Sequence, residues 1–177
     1  MRRFKSTSIA DSKRLVLPSL SLALVPLERG KVTGMTSFLL TDVLQEKLLQ
    51  AARAARSRAY APYSRFRVGA AVLDEAGRIH AGCNVENAAY PQGVCAEAAA
   101  LSAMVLAGGS RVRAVLVAGA AAGASWTTPC GGCRQKLREF GAPETPILTA
   151  SDDAIGPVFT LAQLLPESFG PDHLGRS

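Results

Sequence analysis

Three of the four cysteines in this chain fall in two short pieces 34 residues apart, Cys95-Ala96-Glu97 and Pro129-Cys130-Gly131-Gly132-Cys133. If the pieces act together, the fold must bring them to one place. A zinc ion held by Cys95, Cys130 and Cys133 would keep its fourth tetrahedral position open, which separates a catalytic zinc site from a closed structural one. Glu97 stands two residues after the first cysteine, where a proton-shuttling carboxylate can lie beside that open position without being a ligand. Both pieces sit where a loop meets a predicted helix. Free backbone N–H groups and the positive end of the helix dipole favour a thiolate there, and thiolate is the form that binds zinc.

Cys-x-x-Cys alone also describes structural zinc half-sites and redox pairs. A structural site needs a fourth ligand, for which Cys83 and His80, both on a predicted strand, are the nearby candidates. Strand cysteines are usually small core residues, and neither His80 nor His173 has a metal-spaced companion, so all three read as non-ligands. Two disulfides are the other use for four cysteines. The Cys-x-x-Cys spacing and the lack of a convincing export signal favour a reducing, cytoplasmic setting and a metal site instead.

The net charge of +6 suggests a nucleic-acid partner until the chain is divided at Met35. Residues 1–34 carry +5 and residues 35–177 only +1. The body therefore has no electrostatic footprint for a phosphate backbone. Composition is that of a globular domain, 48% hydrophobic and 19% charged, and no apolar run reaches membrane-spanning length. Residues 1–34 read as a dispensable extension upstream of a domain spanning 35–177. Pro18 and Pro26 interrupt its apolar stretch, and no small-residue cleavage pattern precedes Glu28.

Within the domain, Thr41 is an expected N-cap, with Val43, Leu44, Leu48, Leu49 and Ala52 at helical spacing. A hairpin follows, with strands Phe66 to Leu73 and Arg78 to about Val85 around the turn Asp74-Glu75-Ala76-Gly77. Next come a loop, a helix from Cys95 to about Ala107 ended by Gly108-Gly109, and a strand from Val112 to Ala118. The Ala/Gly stretch 118–124 reads as a flexible connection. A helix from Cys130 to Phe140, strands at Pro146–Thr149 and Pro157–Thr160, and a short helix at Leu161–Leu165 complete the order. This alternation predicts a mixed sheet covered by helices on both faces.

The stretches Gly82-Cys83-Asn84-Val85-Glu86-Asn87-Ala88-Ala89-Tyr90, Cys95-Ala96-Glu97 and Pro129-Cys130-Gly131-Gly132-Cys133-Arg134-Gln135 resemble cytidine deaminases of the small homotetrameric type. The likeness runs from about Leu39 to Leu174. It implies a three-layer α-β-α sandwich with a mixed, roughly five-stranded sheet, one zinc ion per subunit and a nucleoside substrate. It also implies that Asn84 and Glu86 bind the ribose hydroxyls, that Phe66 packs near the nucleoside and that backbone around Ala96 binds the pyrimidine carbonyl. Phe169 would reach a neighbouring subunit's site, making each site of a homotetramer composite. Glu97 would carry protons to N3 of cytosine and to the departing amine, turning cytidine or 2′-deoxycytidine into uridine or 2′-deoxyuridine in pyrimidine salvage.

The chain departs from the family pattern in placing Ala98 directly after Cys-Ala-Glu, where many members have an arginine bonded to the thiolates. Helix N-terminal N–H groups are the expected substitutes for that charge, with Arg134 read either as a further contributor or as an ordinary surface charge. Three other readings stand beside the main one: a deaminase of another cytosine-bearing compound such as blasticidin S, a structural-zinc binding protein, and an editor of DNA or RNA. The weak charge of the body and its single Trp argue against the last.

Overall fold

The computed structural model of the protein describes residues 40–119, 126–152 and 154–175. The proposed N-terminal extension and most of the Ala/Gly connection lie outside them. The first helix, α1 (Asp42–Ser57), opens on Thr41, whose side chain accepts from the Leu44 N–H. Leu48, Leu49 and Ala52 form its buried face. Val43, placed on that face by spacing, instead stands 67% exposed.

Two strands follow, β1 (Gly69–Asp74) and β2 (Ile79–Cys83), then α2 (Ala96–Leu106), β3 (Val112–Ala118), α3 (Gly131–Phe140), β4 (Pro146–Ala150), β5 (Ile155–Thr160) and α4 (Leu161–Leu164). The sheet order is β2-β1-β3-β4-β5, with β3 and β4 parallel and every other pair antiparallel. This is the mixed five-stranded sheet expected.

The central strands show why the layers form. Along β1, Ala70 and Val72 face one side while Ala71 and Leu73 face the other; along β3, Val115 and Val117 oppose Ala114, Leu116 and Ala118. Side chains alternate across a strand, so a continuous apolar run needs cover on both faces. Leu48, Leu49 and Ala52 of α1 cover one face. Ala100, Leu101 and Met104 of α2, with Leu137 of α3, cover the other.

The hairpin is shorter than expected, and one side chain explains it. Asn84 Oδ1 accepts from the Val68 N–H at 2.8 Å, and its Nδ2 donates to the Phe66 carbonyl at 2.9 Å. The amide thus stands in for a strand neighbour, and regular pairing begins only at Gly69 opposite Cys83. The Asn84 carbonyl is left to accept from the Tyr60 N–H at 3.0 Å. At the far edge, β5 begins two residues earlier than expected and contains Pro157, which an edge strand tolerates because its missing N–H breaks no inner ladder.

Two glycines place α2. Gly108, at φ +81°, ends it in the left-handed conformation with the Gly109 N–H returning to the Met104 carbonyl. Gly82 on β2 lets the helix close on the sheet. A β-carbon there would lie 2.3 Å from the Ala100 nitrogen and 2.5 Å from the Ala96 carbonyl oxygen.

Candidate active site

Cys95 is the N-cap of α2 and Cys130 the N-cap of α3, while Cys133 lies in the first turn of α3. The three sulfur atoms lie within 4.8 Å of one another, and Sγ of Cys95 is 3.8 Å from Sγ of Cys130. Tetrahedral zinc–sulfur bonds of about 2.3 Å place two ligand sulfurs roughly 3.8 Å apart. The sulfur spacing therefore fits the metal. Among the described residues no fourth His, Cys, Asp or Glu joins this group. His80 is engaged by Asp74 at 2.8 Å, His173 stacks on Phe169, and Cys83 stays half-buried on β2.

The electrostatics ask for a cation. Burial, then the Cys130 thiol, pushes the Cys95 thiol up; burial, then the Glu97 carboxylate, pushes Cys133 up. Burial opposes ionisation of Cys130 as well, but the N–H and thiol of Cys133 outweigh it and bring Cys130 down. A bound divalent cation would favour the thiolate form of all three cysteines.

Glu97, in the first turn of α2, works through its charge against ionisation of all three thiols, although at Cys130 the Cys133 bonds prevail. Its side chain is 4% exposed and accepts no hydrogen bond from any described residue. Among the described residues the one buried side-chain polar atom without a partner is Arg53 Nε, so the Glu97 oxygens keep access to solvent, as a group that exchanges protons with water must.

A cavity of about 430 Å³ opens against Cys95. Its wall includes Tyr63, Ser64, Asn84, Glu86, Tyr90 and Val94. Of the residues singled out in the sequence, Cys95, Asn84 and Glu86 reach this wall. Ala96 is buried at the start of α2, while Phe66 and Phe169 stand half-exposed away from it. Glu86 accepts from the N–H groups of Tyr63 and Ser64 at 2.9 and 3.2 Å and from the Ser64 hydroxyl. These bonds, the hydroxyl's first, hold its carboxyl below the usual range and keep it charged at neutral pH.

Tyr63 and Tyr90 carried no individual role in the sequence reading. Their rings meet at 5.8 Å on the cavity wall, a pairing across 27 residues that spacing does not reveal. Arg134 neither bonds the thiols nor stands as a free surface charge. Its guanidinium donates to the Pro129 and Leu164 carbonyls and to Thr128 Oγ1.

Comparison with known proteins agrees with this geometry. Residues 43–149 match the family model described as the cytidine and deoxycytidylate deaminase zinc-binding region. The cytidine deaminase of Mycobacterium tuberculosis is 43% identical over 135 residues, covering 76% of this chain and 96% of its own length. That of Sporosarcina psychrophila is 40% identical over 129 residues, covering 73% and 93%. The crystal structure of cytidine deaminase from Burkholderia pseudomallei superposes with a TM-score of 0.64 at 40% identity, covering 70% of this chain and 98% of that one. With the sulfur cluster, the isolated acid and the layered sheet in agreement, the chain belongs to the zinc-dependent cytidine and deoxycytidylate deaminase family.

Proposed function

We propose that the protein hydrolyses cytidine and 2′-deoxycytidine to uridine and 2′-deoxyuridine with release of ammonia. The observation that carries this is three sulfurs spaced for zinc, with Cys95 on the wall of a cavity of nucleoside scale and Glu97 in the first turn of the helix that Cys95 caps. Cys95, Cys130 and Cys133 would hold one zinc ion per subunit. The metal supplies Lewis acidity, lowering the pKa of water toward neutrality. Glu97 takes a proton from the attacking water and passes it to N3 of cytosine, which makes C4 electrophilic. It then takes the second proton, from the hydroxyl now on C4, and delivers it to the amine as the C4–N bond breaks and the C4 carbonyl forms. One water is consumed and one ammonia leaves.

Asn84 and Glu86 face the ribose hydroxyls in this reading. Oε2 of Glu86 is filled by the Tyr63 and Ser64 N–H groups, but Oε1, used by the Ser64 hydroxyl alone, keeps a lone pair for substrate. Backbone N–H groups at the start of α2, around Ala96, receive the pyrimidine carbonyl, and Phe66 packs near the nucleoside. Phe169, 57% exposed and stacked on His173, reaches a neighbour's site in a homotetramer in this reading. The apolar groove of Leu101, Val105, Leu106 and Phe140, in which Leu106 is 90% exposed, supports such self-association. Among the described residues no helix is long and apolar enough to cross a membrane. We place the enzyme in the cytoplasm, in pyrimidine salvage. Residues 35–177 form the catalytic domain in this reading, with 1–34 as a dispensable extension.

The test is ultraviolet measurement of cytidine loss with and without a zinc chelator. Chelator-sensitive conversion to uridine is expected. A zinc-loaded protein that leaves both nucleosides intact overturns the reading. The relatives' names give no support to a blasticidin-type substrate, and a substrate panel including that compound checks the point.

A further inference from the structure

Arg134 follows Cys133 directly on α3, and its guanidinium bonds two carbonyls and a hydroxyl, none of them a thiol. Nε donates to the Pro129 carbonyl at 2.7 Å and Nη2 to Thr128 Oγ1 at 3.0 Å, both in the segment just before Cys130. Nη1 donates to the Leu164 carbonyl, at the end of α4, at 2.7 Å. Residues 126–129 make no backbone–backbone hydrogen bond to any described residue, and Pro129 has no N–H to offer one. The lead-in to Cys130 is therefore anchored by polar contacts chiefly through this guanidinium.

We propose that Arg134 is a positioning residue that keeps Cys130 in ligating place by clamping the backbone ahead of it to the end of α4. The inference rests on the reading that Cys95, Cys130 and Cys133 hold zinc. A planar guanidinium sends donors in fixed, divergent directions and can meet three acceptors at once. A lysine ammonium carries the same charge on a single atom and cannot span Pro129, Thr128 and Leu164 together. The role is thus geometric and not one of charge compensation, since no described thiol is among the partners of Arg134.

The measurement is zinc release from the loaded, full-length protein into a chromogenic chelator. Arg134→Ala is expected to release zinc roughly 10- to 100-fold faster, the range typical for partners that orient metal ligands. Arg134→Lys is expected to leave most of that loss in place. Thr128→Val, which removes one of the three bonds at nearly constant volume, is expected to give a smaller acceleration. The pH–rate profile of each zinc-reloaded variant should coincide with that of the unaltered protein. Unchanged release in Arg134→Ala, full rescue by lysine, or a displaced pH profile overturns the proposal. If Arg134→Ala does not fold, unchanged release in Thr128→Val overturns it. An unaltered protein that binds no zinc defeats the functional reading itself, whereas one that binds zinc and deaminates while its variants release metal normally defeats only this inference.

Discussion

The two ends of α2 each hold a buried acid, and the two acids are treated in opposite ways. At the C-terminal end, Asp74 is 1% exposed with its oxygens fully engaged. Oδ1 accepts from the N–H groups of Ala76 and Arg78 at 2.9 and 2.8 Å, and Oδ2 meets Arg78 Nε at 2.7 Å and His80 Nε2 at 2.8 Å. Arg78 also donates to the Ala107 carbonyl just beyond α2, so the acid ties the hairpin turn to the helix end. At the N-terminal end, Glu97 is 4% exposed, has none of these partners and keeps its oxygens open to solvent. Burial of a carboxylate is costly unless hydrogen bonds compensate it. Asp74 is compensated and holds structure together. Glu97 is left reactive.

Substitution at the two acids should therefore separate activity from stability. Glu97→Gln is expected to lower the turnover of cytidine by several powers of ten while zinc content and melting temperature stay near those of the unaltered protein. Near-normal turnover in that variant would remove Glu97 from the chemistry. Asp74→Ala should do the reverse. It leaves Arg78 and His80 without their buried partner, and a loss of about 3 kcal/mol in urea unfolding is expected with turnover per folded molecule preserved. An Asp74→Ala protein as stable as its parent would show the cluster to be ornamental.

Glu86 lies between these extremes, bonded by the chain yet facing the cavity. Glu86→Gln should lower kcat/KM by about tenfold, mostly through KM, because a charged acceptor to substrate is exchanged for a neutral one. A fall confined to kcat would place Glu86 in the proton chemistry instead. The smallest effect concerns acid. Burial would raise the Asp74 carboxyl, but His80 and then Arg78 bring it from 3.8 down to about 2. A carboxyl depressed on folding stabilises above its unfolded value and loses that stabilisation as pH falls through the folded one. Unfolding free energy should thus decline between about pH 4 and pH 2, less steeply in Asp74→Ala. Parallel declines in the two proteins would assign the effect to other carboxylates such as Glu75, also held near 2.

Signals local in the chain were legible before the fold was known. Thr41 before an apolar helical stripe, the uninterrupted β3 run and the pairing of Cys-Ala-Glu with Cys-x-x-Cys each carry their meaning within a few residues. What escaped depended on groups brought together from afar. The strand expected from Phe66 starts at Gly69 because Asn84, 16 residues beyond Val68, supplies an amide where a ladder would begin. Arg134 looks like a charge for thiolates until Leu164, 30 residues on, takes one of its donors. The Tyr63–Tyr90 contact exists only because the segments on either side of the hairpin return to one wall. Val43 fits the helical spacing but falls outside the face that the sheet covers.

The space left by the missing side chain of Gly82 sets how near α2 may come to the sheet. Even one methyl group there would press against Ala96 and Ala100 and lift the start of α2, which carries Cys95, away from Cys130. The grip on the metal would then be lost by parting two neighbours without altering either. The tightness of the sulfur triangle is thus governed from a strand that donates nothing to it.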